Sequence, residues 1–473
     1  MQERLPPLLQ RIVRETPALA RTYLVGGGVR DALLGEPVKD FDLEVFGVDY
    51  PELVAALGRW GRADLVGRSF GVVKLSTSEG TFDFSLPRRD SKTGQGHRGF
   101  VVNLIPDLAP QEAAARRDFT INAMMYDLRG GTLLDPFNGR QDLADRILRH
   151  TSAAFSEDPL RVLRGMQFTA RFNLTAAPET VALCQEMVAT HDELAVERRR
   201  EEWLKWATQS RSPARGLQFL ADTGWLRHYP ELAALRGVPQ DPEWHPEGDV
   251  WEHTRFCVDA LVELPEWIGA DRNTRIVLLL TLLLHDIGKA TTTREEQRDG
   301  RTRIISPGHE QESTRMAATF CQRLDLSSTL VDRILPLVSN HMAHYSDPSS
   351  RAVRRLAARL QPSTIHELGV VMTADASGRP PLPKKVPETV TALLARAALL
   401  DLQAQGPRPI LLGRHLIERG HPPGPDLGRL LHSAFEAQLD GAFHDLPTAL
   451  EWLAQQRAKP SPGPTPGPAT EIR

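Results

Sequence analysis

Cysteine is scarce. The 473 residues hold three, Cys184, Cys257 and Cys321, odd in number and far apart. That argues against a disulfide framework or a cysteine-based zinc site, and it fits a reducing compartment. Long apolar runs are missing too. The longest, Ile276 to Leu284 broken by Thr281, is too short to span a bilayer, so no membrane partner is expected. The first residues mix acids and bases with no signal-peptide core, which makes a cytoplasmic protein the default. Excess charge is absent as well. With a formal net charge of −3, a nucleic acid has to be met by a local basic surface and not by the field of the whole protein. No repeat of fixed period is found. What is present, 41% hydrophobic and 25% charged residues over a length too great for one core, describes a globular protein of roughly two to four domains.

Chemistry concentrates first in Tyr23-Leu24-Val25-Gly26-Gly27-Gly28-Val29-Arg30-Asp31, followed by Lys39-Asp40-Phe41-Asp42. The order reads as a strand, a glycine turn, a short helix and a second strand. Such a turn lets backbone N–H groups approach an anion, and the helix start adds its positive dipole end. Arg30 adds charge against phosphate. Asp40 and Asp42 are two apart, which on a strand puts both on one face, and paired carboxylates facing a triphosphate pocket suit a hard cation such as Mg²⁺. No Gly-Lys-Ser/Thr follows the glycines, so this is not a Walker loop. The plain alternative is a glycine turn beside two surface aspartates.

Val72 to Leu75 and Thr81 to Phe84 look like neighbouring strands, with Asp83 either a third carboxylate or a solvated strand residue. Pro87 to Gly99 is polar, glycine-rich and basic, and reads as a mobile loop. Arg116-Arg117-Asp118 leads into a helix, where the arginines can grip triphosphate and Asp118 can orient a ribose hydroxyl. Asp135-Pro136-Phe137-Asn138-Gly139 is a turn. From about residue 150 the pattern is helical. Asp158 and Pro159 open a helix on which Arg161 and Arg164, three apart, share a face. Glu157, Asp158 and Arg161 put acceptors and donors at one helix end, as a reader of base edges or as ordinary capping. Val196 to Trp203 is a charged helix start, a solvated face or an RNA contact. Further on come His253, His285-Asp286, His309, His341 and Asp375, acids and histidines spread over several helices in the manner of a buried metal site. The last stretch, from Lys459, is proline- and glycine-rich and is expected to be disordered.

The opening motifs, with Arg116-Arg117-Asp118-Phe119-Thr120-Ile121-Asn122-Ala123, Asp135-Pro136-Phe137-Asn138-Gly139 and Glu157-Asp158-Pro159-Leu160-Arg161 in the same order, resemble the class II tRNA nucleotidyltransferases of the bacterial, CCA-adding type. The histidine and aspartate series resembles the HD phosphohydrolases. The resemblance implies an α+β chain. Its polymerase-beta-like nucleotidyltransferase head, a mixed sheet with helices, spans residues 1–150. An all-α neck and body spans 151–237, an all-α HD domain 238–385, a further helical region 386–458 and the tail 459–473. It implies template-independent addition of CCA, or of its terminal A, to the 3′ end of tRNA from CTP and ATP, with release of pyrophosphate and no covalent enzyme intermediate.

By the same resemblance, Asp40 and Asp42 are catalytic and hold Mg²⁺. Gly27, Arg30, Arg117 and Arg164 bind the triphosphate, Asp118 assists at the sugar, and Glu157, Asp158 and Arg161 template the base. In the HD domain His253, His285, Asp286 and Asp375 hold a divalent transition metal, nickel or manganese, while His309 and His341 hold a second metal or contact phosphate. That site is implied to act as a phosphatase and 2′,3′-cyclic phosphodiesterase in tRNA end repair. The chain is expected as a monomer or homodimer. Relatives often carry a third arginine three residues past the second, where this chain has Gln167. A-only or CC-only addition, poly(A) polymerisation, an HD phosphohydrolase with a degenerate RNA-binding head, and an RNA-binding protein without catalysis are the alternatives.

Overall fold

The computed structural model describes residues 1–64, 71–92, 100–298 and 300–458. The chain divides into two compact units. The first is Met1–Gln240 with Gly248–Ile276 and Thr319–Leu326, and the second is Asp241–Glu247 with Val277–Ala318 and the chain from Ser327 on.

In the first unit the apolar run Thr22–Val25 (β1) is buried along its whole length, which is what a central strand requires. It pairs antiparallel with Asp42–Val45 (β2) on one side. Arg62–Asp64 (β3), Val72–Thr77 (β4), Gly80–Ser85 (β5), Met125–Asp127 (β6) and Leu133–Leu134 (β7) complete one mixed sheet in the order β3-β4-β5-β2-β1-β6-β7. Only β2 and β5 run parallel, in a register that sets Asp83 beside Asp42. The expected neighbouring strands are thus β4 and β5, paired antiparallel. The glycine turn and short helix are found as well: Gly26 has a φ of 68°, and Gly27–Leu33 (α1) follows it. One expectation fails locally. β2 begins at Asp42, so Asp40 lies outside the strand and the alternation of a strand does not place the two carboxylates. The basic segment after Pro87 starts as a strand, Arg88–Lys92, paired antiparallel with Phe100–Leu104. The rest of that expected loop lies outside the described residues, as does the tail from Lys459.

Helices take over after the head. Leu160–Phe172 (α2), Val196–Gln209 (α3) and Pro213–Asp222 (α4) form the neck. α2 and α4 approach closely because two glycines face the contact. A methyl at Gly165 would lie 2.6 Å from the Phe219 ring, and one at Gly216 would lie 2.7 Å from the Met166 carbonyl oxygen. Trp203, Trp206, Trp225, Tyr229 and Phe320 are fully buried nearby and meet edge-on or tilted, as aromatic quadrupoles prefer. The helices of the second unit include His309–Arg323 (shared with the first), Ser328–Asn340, Ser350–Leu360, Ile365–Ser377, Glu388–Leu399, Pro425–Asp440 and Leu446–Ala458. This helical region also holds an antiparallel hairpin, Arg294–Arg298 with Arg301–Ile305, turned at Gly300 with a φ of 73°. Among the described residues no helix is long and apolar enough to cross a membrane.

A histidine pair marks the base of the first unit. His191 and His228 stack with centroids 3.9 Å apart and planes 7° from parallel. Burial pushes His191 down from 6.5 to about 4, and His228 is lowered by burial too. The folded state therefore favours the neutral rings. The stability this brings is fully present above pH 6.5 and is lost as pH falls from there towards 4. For His191 the loss between pH 7 and pH 5 should be about 2 kcal/mol. Urea unfolding followed by tryptophan fluorescence at the two pH values should show that loss, and His191→Phe should remove most of it.

Candidate functional site

The two units each gather side chains that carry chemistry. In the first, a cleft of about 520 Å³ is lined from the glycine turn, β2 and the neck helices α2 and α3. It brings together Gly27, Arg30, Asp42, Arg117, Asp118, Asp158, Arg161 and Arg164. Asp40 and Glu157 are not part of its lining. Asp40 still touches the turn through its backbone, since a methyl at Gly28 would sit 3.3 Å from its carbonyl oxygen. Gly26 is needed for its positive φ, and it lies beside both partners: a methyl there would make ordinary contacts, 3.4 Å from Arg117 Nη1 and 4.0 Å from Asp42 Oδ2.

The cations of the cleft are fixed one by one. Arg30 is buried, donates from Nη1 to Asn122 Oδ1 at 2.6 Å and from Nη2 to Asp31 Oδ1 at 2.6 Å, and lies over the Phe172 ring at 4.3 Å. Arg164 Nε donates to Asp118 Oδ2 at 2.8 Å. Asp118 also accepts from Asn122 Nδ2 at 2.9 Å and from the Phe119 amide at 2.8 Å. Burial alone would push the Asp118 carboxyl up, but Arg164 and these bonds outweigh it and hold it below the usual carboxylate range. Arg161 donates to two backbone carbonyls, those of Ala154 at 2.8 Å and Arg116 at 2.6 Å. Arg116 and Arg117 each give one Nη2 to Glu44, both at 2.9 Å, and Glu44 is fully buried. Asp42 is pushed up, first by partial removal from water and then by the facing Asp83, so a bound cation would favour its charged form.

Other residues belong to this cleft without having been singled out from the sequence. Asp158 accepts from the Leu160 amide at 3.0 Å, and its other oxygen accepts from Arg198 Nη2 at 3.1 Å. Arg198, Lys205 and Gln209 line the wall from α3. Their spacing, 7 and then 4 residues, is a helical stripe and was the available signal. The charged start of α3 is thus not a wholly solvated face: Glu202 is buried and accepts from Lys205 at 2.7 Å.

In the second unit Asp286, His309 and His341 are all buried, and each offers a ligand atom within 4.8 Å of the others. His309 Nε2 lies 3.3 Å and His341 Nε2 3.6 Å from Asp286 Oδ1, while His285 Nε2 lies 3.2 Å from Oδ2. All three histidines bond through Nδ1 to the carbonyl three residues back: His285 to Leu282 at 2.7 Å, His309 to Ser306 at 2.8 Å and His341 to Val338 at 2.7 Å. A Nδ1–H donating to a carbonyl leaves each Nε2 as a lone pair, the tautomer a metal needs. A nitrogen of His285 and an oxygen of Asp375 also come within 4.8 Å. Burial would raise the Asp286 carboxyl, yet His285 and Lys289 hold it well below its usual range. These imidazoles and carboxylates fit a divalent first-row metal. His253, on the helix Val250–Val262 of the first unit, is fully buried with its Nε2 3.4 Å from Cys257 Sγ. Asp286→Ala should weaken retention of a divalent metal in the second unit by more than roughly tenfold. Elemental analysis after desalting measures this, with circular dichroism reporting that the helices persist.

Two families match the chain: the Poly A polymerase head domain over residues 22–149 and the HD domain over 250–378. Both imply a bound divalent metal. The multifunctional CCA protein of Nitrosococcus oceani is 38% identical over 369 residues, covering 76% of this chain and 84% of that one. The multifunctional CCA protein of Acidovorax ebreus is 34% identical over 462 residues, covering 93% of this chain and 98% of that one. In fold, the chain is similar to the Bacillus stearothermophilus CCA-adding enzyme in complex with CTP, with a TM-score of 0.65 at 20% identity over 96% of this chain and all of that one. The Thermotoga maritima CCA-adding enzyme complexed with tRNA gives a TM-score of 0.59 at 20% identity, covering 96% and 97% of the two chains. Resemblance to such relatives along most of both sequences, with a head and an HD domain in the same order, places this chain in the family of the multifunctional CCA proteins.

Proposed function

We propose that the chain adds CCA to the 3′ end of tRNA from CTP and ATP, and that its HD domain hydrolyses phosphate esters at tRNA ends. The observation that supports this most is the order of groups along α2. Asp158 and Arg161 stand at its start, Arg164 with Asp118 one turn on, and the phosphate-facing turn of Gly26, Gly27 and Arg30 shares the same cleft. Cytosine and adenine each present an exocyclic amine donor beside a ring nitrogen acceptor. A carboxylate acceptor and a guanidinium donor, Asp158 and Arg161 with Glu157 beside them, can serve both and mismatch uracil and guanine, whose corresponding groups are reversed. Asp42, with Asp40 two residues before it, would hold Mg²⁺, which when bound would supply Lewis acidity towards the tRNA 3′-hydroxyl and the leaving pyrophosphate. Arg30, Arg117 and Arg164 meet the charge that grows on the phosphates, and the backbone of the glycine turn comes close to them. The tRNA is held by shape and phosphate contacts, because a universal substrate leaves little sequence to read.

For the HD domain, running from about 238 to 385, we take His285, Asp286, His309, His341 and Asp375 as metal and phosphate ligands, and the resemblance adds His253. These residues would hold a nickel or manganese ion, which when bound would supply a hydroxide near neutral pH. Phosphatase and 2′,3′-cyclic phosphodiesterase activities would clean a damaged end before it is extended.

The test uses labelled CTP and ATP with three tRNA transcripts, ending before CCA, after the first C and after CC. The protein should complete all three. Asp42→Ala should lower incorporation by about 10³-fold, the several kcal/mol a catalytic metal site supplies. Extension of only the CC-ended transcript, by ATP alone, would make this an A-adding enzyme. His341→Ala should abolish hydrolysis of 2′,3′-cyclic AMP and leave incorporation on all three transcripts intact. Loss of both activities together would sink the assignment of separate sites.

A further inference from the structure

Glu44 takes no part in the function proposed so far, yet it is fully buried two residues beyond Asp42 on β2. We infer that Glu44 is a positioning residue for nucleotide binding: it holds Arg117 by one edge so that the other edge faces the glycine turn. The inference rests on reading Arg117 as a triphosphate contact.

The geometry is specific. β2 lies inside the sheet between β1 and β5, so its backbone cannot shift without breaking two ladders. From that fixed point Glu44 Oε2 accepts from Arg117 Nη2, and Oε1 accepts from Arg116 Nη2, both at 2.9 Å. A planar guanidinium held at one nitrogen by a rigid acceptor is restricted in where its remaining N–H groups can lie. Arg117 Nη1 then faces Gly26 beside Asp42. Arg117 Nε is buried and has no hydrogen-bond partner among the described residues.

Glu44 also separates charges. Asp42 is a competing acid on which Arg117 already acts electrostatically, and both lie beside Gly26. Without the Glu44 carboxylate the guanidinium would be drawn to Asp42 and would occupy a carboxylate that has to receive a cation. Two arginines on one acid leave one positive charge over, facing the phosphates.

A simple counter-charge and a positioning residue make opposite predictions. Removing a negative charge from a phosphate site should tighten nucleotide binding if charge alone mattered. If Glu44 aims Arg117, the neutral isostere should weaken it. Steady-state CTP and ATP addition to the tRNA transcripts would be measured for wild type, Glu44→Gln, Glu44→Asp, Arg117→Lys and Glu44→Gln with Arg117→Lys, with melting temperatures alongside. Glu44→Gln should raise KM for both nucleotides about tenfold with kcat within about threefold, the pattern of a lost binding contact. Glu44→Asp, which keeps the charge, should recover part of the affinity, and Glu44→Gln should add little in the Arg117→Lys background. An unchanged or lower KM in Glu44→Gln, a fall in kcat alone, or effects that multiply with Arg117→Lys would overturn the inference while leaving the triphosphate reading in place. If Arg117→Lys itself leaves KM unchanged, that reading falls and the role of Glu44 falls with it. Should Glu44→Gln fail to fold, Glu44→Asp alone and combined with Arg117→Lys carries the same comparison.

Discussion

Two buried carboxylates hold the nucleotide cleft together. Glu44 under Arg116 and Arg117, and Asp118 under Arg164, lie deeper than the cations they bind. Taking either acid out of water is costly, and a buried pair of this kind adds little net stability over an apolar replacement. What it adds is orientation. Each guanidinium has one edge bonded to an acid that cannot move, so fewer rotamers are lost when a phosphate arrives. The sheet makes this possible: β2 and β5 bring Asp42, Glu44 and Asp83 to one region, and the neck helix α2 brings Arg161 and Arg164 against it.

The second unit solves the same problem with backbone carbonyls in place of carboxylates. His285 and His341 follow the last residues of their helices, and His309 is the first residue of its own. In each case the ring reaches the carbonyl three positions back; for His285 and His341 it is one of the last carbonyls of the helix, and for His309 it is the Ser306 carbonyl, which also accepts the His309 amide at 3.3 Å. The bond selects the tautomer and aims Nε2 towards Asp286. Because the preorganisation is local to each helix end, it does not depend on the nucleotide cleft. This is the physical basis for expecting the two activities to separate.

Legibility followed sequence distance. The glycine turn, Asp42, the Arg116-Arg117-Asp118 run and the Asp158–Arg161–Arg164 stripe are contiguous patterns, and the cleft gathers them. The HD histidines were legible because histidine beside an acid at helix ends is a rare combination. Asp40 misled as a strand residue, because β2 starts two residues later and the alternation rule has nothing to act on before it. Glu44, Arg198 and Lys205 were not found. A glutamate between Leu43 and Val45 reads as an ordinary strand residue until Arg116, 72 residues away, is folded against it. Arg198 sat in a charged run, Val196 to Trp203, that reads as a solvated face or an RNA contact, and Lys205 lay past its end; only the packing of α3 against α2 turned their stripe inward.

The same charge accounting explains Gln167. Relatives often have arginine there, and its absence invites the idea of a lost phosphate contact. Position 167 is 2% exposed, on the stripe that already carries Arg161, Arg164 and Arg171 into the cleft. A guanidinium at such a depth needs an acid of its own, since an unpaired buried charge costs several kcal/mol. The acids that line the cleft are committed: Asp118 to Arg164, Asp158 to Arg198, and Asp42 to the proposed cation. A neutral amide escapes that requirement. Its Nε2 is buried without a hydrogen-bond partner among the described residues, at far lower desolvation cost than a cation would carry there. With Arg30, Arg117, Arg164 and Arg171 around the phosphate end, charge is not what the site lacks. The substitution therefore reads as a consequence of how the acids are distributed, and not as damage to the nucleotide site.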